Sequence, residues 1–149
     1  MDENNVVSVL KNLIETSKDG EKGYKDAAEQ AKRPDLKTYF AQQSAERGRF
    51  AQELEGQLAK VGEPDKKVSG SASAALHRAW IDTKVALGGG DKAILESVEK
   101  GEDNTKETYQ KALNGSLPPG VAEMVRRQAA RVQQGHDKVR NLRDTARAA

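Results

Sequence analysis

The side chains that could do chemistry are the polar ones interrupting apolar helical stripes. In 149 residues there is no cysteine and there are only two histidines. That excludes a disulfide framework, a thiolate metal site and a cysteine nucleophile. Carboxylates, amides, arginines and His136 remain. At about 100° per residue, the inward arc of a bundle helix is roughly 100° wide. Glu21 falls at the edge of one arc, among Leu10, Ile14 and Ala28, and Glu102 falls centrally among Leu95, Val98, Thr105 and Tyr109. Gln43 and Arg47 lie on the line of Leu36, Phe50, Leu54 and Val61, with Glu46 turned to one flank. Gln128 is central between Val125 and Val132, and His136 sits on the shoulder beside Val139.

Two chemistries fit such a set. Inward carboxylates with a histidine make a metal site when two helices each add a Glu-x-x-His pair. The metal candidates are Glu21, Glu46, Glu102 and His136. The sequence contains no Glu-x-x-His; the nearest spacings are Glu46 to Arg49 and Gln133 to His136. A cation among the ligands also opposes a dication. The second chemistry is a buried Glu–Arg–Glu network, because the five donors of a guanidinium can satisfy two carboxylates. Its candidates are Glu21, Gln43, Glu46, Arg47, Glu102 and Gln128. This second reading is the one expected, with no catalytic residue and no resident cofactor; iron or another divalent metal is the alternative.

These residues need long helices to carry them. The chain is 36% hydrophobic and 32% charged, with only 4% aromatic residues, a composition of all-α proteins. Apolar spacings of three and four mark helices over about 3–31, 35–61, 91–113 and 121–145. Asp35 and Asp91 are the expected caps of the second and third of these long helices. A polar stretch after Val61 leads to a shorter helix over about 74–87, holding His77 and Trp80, before Gly88-Gly89-Gly90. Short turns around Pro34 and at Pro118-Pro119 make each flanking pair antiparallel. The reading is one domain, 1–149: two antiparallel hairpins joined by a long crossover with its own short helix, the connectivity of a ferritin-like four-helix bundle.

The net charge of +2 gives no argument for nucleic acid. The arginines of the last helix divide, with Arg127, Arg131 and Lys138 on one flank and Arg126, Arg140, Arg143 and Arg147 on the other. Such cations are expected to cover the apolar seam and pair with neighbouring acids. A nucleic-acid-associated protective protein is therefore the second alternative. The start lacks a signal-peptide pattern and no run is long enough for a membrane span, so a cytoplasmic protein without a membrane partner is expected. Trp80 offers an edge for a homo-oligomer.

Several segments add a resemblance. Asp19-Gly20-Glu21-Lys22-Gly23-Tyr24, Ala75-Leu76-His77-Arg78-Ala79-Trp80, Gly101-Glu102-Asp103 and His136-Asp137-Lys138-Val139-Arg140-Asn141-Leu142-Arg143-Asp144 occur in order. Together they resemble a bacterial family of ferritin-like four-helix-bundle proteins of unknown function, over about Asn5 to Arg143. The resemblance implies a soluble, stress-associated bacterial protein. It also implies that Glu21 and Glu102 stand at single-carboxylate positions, while the two Glu-x-x-His positions of iron-oxidising relatives are not met.

Overall fold

The computed structural model describes residues 3–61 and 90–148, with side chains for 6–61 and 90–146. The expected short helix over 74–87, with His77 and Trp80, lies outside these described residues. Four helices and no strand occupy the described part: α1 (Glu3–Gln30), α2 (Pro34–Lys60), α3 (Gly90–Asn114) and α4 (Pro119–Ala148). The last begins two residues and ends three residues beyond the limits expected from periodicity. Proline is accepted in a first helical turn, where its missing N–H has no partner to lose.

Both cap assignments are corrected. Arg33 is the N-cap of α2 and Pro34 opens the helix, so Asp35 falls inside the first turn. There its carboxylate accepts from Nε and Nη2 of Arg33 at 3.1 and 2.7 Å. Asp91 reaches across to the α1–α2 turn instead of serving as the N-cap of α3. Its two oxygens accept the backbone N–H groups of Lys32 and Arg33 at 2.7 and 3.0 Å. A turn this tight leaves its N–H groups without helical partners, and a carboxylate from a neighbouring helix meets that need.

The same contact orients the bundle. The start of α3 sits at the end of α1, so these two helices are antiparallel. Helix α1 packs against both α2 and α3, and α3 against α4, whereas α2 and α4 touch only sparsely. Two apolar clusters result. One joins Leu10, Leu13, Ile14, Phe50, Leu54, Met124 and Val125 with their neighbours; the other joins Tyr24, Leu36, Phe40, Ile94, Leu95, Val98 and Val139. Between them the bundle is polar: Ser17, Arg47, Glu102, Thr105 and Gln128 are all fully buried. None of the described helices is long and apolar enough to cross a membrane.

Candidate functional site: the polar centre of the bundle

Arg47 comes inward on α2 because it continues the line of Leu36, Phe40 and Leu54. Glu102 does the same on α3 between Val98 and Thr105. Their side chains meet end to end, Nη1 to Oε1 and Nη2 to Oε2, both at 2.6 Å, with neither residue exposed. A paired fork of this kind is the strongest arrangement open to two such groups. The Arg47 guanidinium also lies over the Tyr24 ring, 5.3 Å from its centroid. Burial alone would lower the Arg47 pKa, but the charge and hydrogen bonds of Glu102 outweigh it and hold the group well above its ordinary value. Burial and the Glu102 charge push the Tyr24 hydroxyl the other way from ionisation, well above the usual phenol range.

Glycines permit this approach. A Cβ on Gly135 of α4 would lie 2.9 Å from Oε2 of Glu102 and 3.4 Å from Nη2 of Arg47. On the opposite side, a Cβ on Gly20 would sit 3.4 Å from Nη1 of Arg47. A Cβ at 135 would require the Glu102 carboxylate to shift.

A hydrogen-bonded chain runs beside the ion pair. Tyr109 donates to Oε1 of Gln128 at 2.7 Å, so Ser17, 3.2 Å away, donates to the Tyr109 oxygen. Nε2 of Gln128 donates to Oε1 of Glu53 at 3.1 Å and reaches the Phe50 carbonyl at 3.4 Å. Glu53 in turn accepts from Nη2 of Arg127 at 2.7 Å. That hydrogen bond, helped by the one from Gln128, holds the Glu53 carboxyl below its ordinary pKa. The chain thus joins all four helices, from a buried serine to a surface arginine. Tyr109 was visible on an apolar stripe, but periodicity gives no sign of which polar tip meets which.

The remaining candidates separate. Glu21 is exposed, and its placement in a buried network is corrected. Its carboxylate leaves the arc beside Gly48, where a Cβ would lie 2.5 Å from Oε2. The physical reason is twofold. Glu21 stood on the edge of its arc, and Glu102 already takes both forked donors of Arg47. Glu46 is turned to its flank, where Arg131 donates to it through Nε at 3.1 Å and Nη2 at 2.7 Å. Gln43 is half-buried near Gly135. His136 is 6% exposed and lies between two carboxylates, with Nε2 2.5 Å from Asp103 and Nδ1 3.2 Å from Asp137. The hydrogen bond from His136 depresses the Asp137 pKa.

The four metal candidates therefore do not converge. Glu102 faces Arg47, Glu46 faces Arg131, His136 faces Asp103 and Asp137, and Glu21 faces solvent. Among the described residues no three His, Asp or Glu side chains are grouped as a metal ion would require.

Fold and site together define, over the described residues, a bundle of four helices with an ion pair and an amide–phenol chain at its centre. The chain belongs to the family described as Domain of unknown function (DUF2383), which it matches over residues 5–115. That span takes in α1, α2 and α3, and so both members of the central ion pair. No curated protein matches the chain.

Proposed function

We propose that this protein is a non-catalytic, ferritin-like bundle of a bacterial, cytoplasmic, stress-associated type, acting through its surface. Its centre is closed by Arg47 and Glu102 in the position where metal-binding bundles of that architecture place their ions. The supporting observation is the fully buried forked pair itself. A guanidinium in that position already meets the carboxylate's need for positive charge, and a dication entering beside it would face both repulsion and a lost ligand. The residues present do not fit a di-metal centre. The flanking arginines Arg127, Arg131 and Arg143 are each engaged by an acid, namely Glu53, Glu46 and the pair Glu99 and Asp144. Engagement of this kind lowers the charge available to a phosphate backbone.

Elemental analysis of the purified protein, followed by Fe(II) and Zn(II) titration calorimetry, tests the reading. Substoichiometric metal and no heat of uptake are expected. One ion per chain with a saturable isotherm, or oxidation of added Fe(II), would overturn it.

A further inference from the structure

Helices α2 and α4 touch only sparsely, and the seam between them holds a groove of about 490 Å³. Glu46, Arg49, Phe50 and Glu53 line it from α2, and Arg127 and Arg131 line it from α4. Positions three and four apart share one face of a helix, so α2 presents its four side chains as a column opposite the two arginines. Phe50 is the one apolar side chain among these six, a core residue with 5% of its surface exposed.

Three guanidiniums and two carboxylates face this groove, an excess of one positive charge. Two of the arginines are taken. Arg131 places Nε and Nη2 on Glu46 at 3.1 and 2.7 Å and Nη1 on Gln134 at 3.2 Å, so all three of its nitrogens are used. Arg127 places Nη2 on Glu53 at 2.7 Å. Arg49 is exposed, and among the described residues its guanidinium has neither a hydrogen bond nor an ion pair. Its charge reaches Glu53, where it adds to the larger effects of Arg127 and Gln128 in holding that carboxyl below its ordinary pKa. The groove thus contains one guanidinium with its five N–H donors uncommitted, and one aromatic side chain beside it.

We propose that this groove binds an organic monoanion, a carboxylate with a small apolar body, held by Arg49. The charge count sets the first requirement. One negative charge balances the walls, whereas a second would be opposed by Glu46 and Glu53. The guanidinium sets the next, because its fork matches the two oxygens of a carboxylate. The apolar body follows from Phe50 and from the methylene stems of the three arginines, which a purely polar ion would leave in water. The volume of about 490 Å³ is that of a small-molecule site. A phosphate group, with a charge of about −1.5 to −2 near neutral pH, exceeds what the walls balance.

Backbone amide shifts in ¹⁵N-edited NMR, recorded at constant ionic strength, read the site, with benzoate as the probe and acetate and inorganic phosphate as comparisons. Saturable shifts centred on residues 46–53 and 127–131 are expected with benzoate. Its affinity should exceed that of acetate about tenfold, through partial burial of the ring. Arg49→Gln should abolish the response. Because Arg49 is exposed and has no partner to lose among the described residues, that variant should keep the helix content of the wild type. A benzoate response lost in folded Arg49→Gln supports the site. No saturable response, one undiminished in Arg49→Gln, or acetate or phosphate binding as tightly as benzoate would overturn the proposal. None of these results depends on whether the protein takes up metal.

Discussion

The bundle contains the same ion pair in two settings. Arg47–Glu102 at the centre and Arg131–Glu46 on the α2–α4 face have nearly the same length, 2.6 and 2.7 Å. The first is sealed on all sides, while the Arg131 side chain is 53% exposed. The inner pair excludes water and fixes how α2 meets α3. The outer pair competes with water and salt, and spans a gap that backbone packing leaves open. Contact length says little about consequence; what remains for each charge when its partner is removed says much more.

The largest effect expected is at the inner pair. Arg47→Met strands the Glu102 carboxylate in the core and should cost about 3–5 kcal/mol in urea unfolding. The double variant Arg47→Met/Glu102→Leu should recover most of that loss, because two apolar side chains need no partners. A double variant no more stable than the single one would show that the pair holds the fold by more than mutual neutralisation.

An intermediate effect is expected along the buried chain. Tyr109→Phe removes the donor to Gln128 and the acceptor for Ser17, at a cost of roughly 1–3 kcal/mol. The same hydroxyl sets an alkaline limit. Burial raises its pKa from the ordinary 10.0 to about 12, with the Ser17 hydrogen bond opposing. The folded state therefore favours the neutral phenol. That stabilisation is complete below the unfolded pKa and is lost as pH rises from 10 to about 12. Absorbance titration of the phenolates alongside circular dichroism should show Tyr109 ionising together with loss of helix, and the Tyr109→Phe variant should lose part of that alkaline transition.

The smallest effect belongs to the surface. Arg127→Ala should cost only about 0.2–1 kcal/mol, given how exposed its pair with Glu53 is. Its clearest signature is in acid. The depressed Glu53 pKa means that its contribution is complete above the unfolded carboxyl pKa and is lost as pH falls through the folded one. In Arg127→Ala the carboxyl resonance of Glu53 should titrate at a higher pH than in the wild type. A larger stability loss than the inner pair's would invert the comparison.

The family match ends at residue 115, before α4 begins. Yet Gln128, Gly135 and His136 on that helix enclose the polar centre. The four long helices, the inward lines of Arg47, Glu102 and Gln128 and the shoulder position of His136 were read from the apolar spacing, because burial of one face repeats every three or four residues. Glu21 shows where that signal fails. A side chain on the edge of an arc goes in or out according to its opposite neighbour, and here that neighbour is Gly48. Asp91 shows the same failure at a helix start, since the N–H groups it meets belong to a turn 58 and 59 residues earlier in the chain.

Residue order alone settled that this protein is helical and that its interior contains charge, since both follow from the period of apolar positions and from what interrupts it. Partner choice belonged to the assembled bundle. Which acid takes Arg47, which amide receives Tyr109 and where a hollow remains depend on distances between helices, and those are set by how small and large side chains share the space between them.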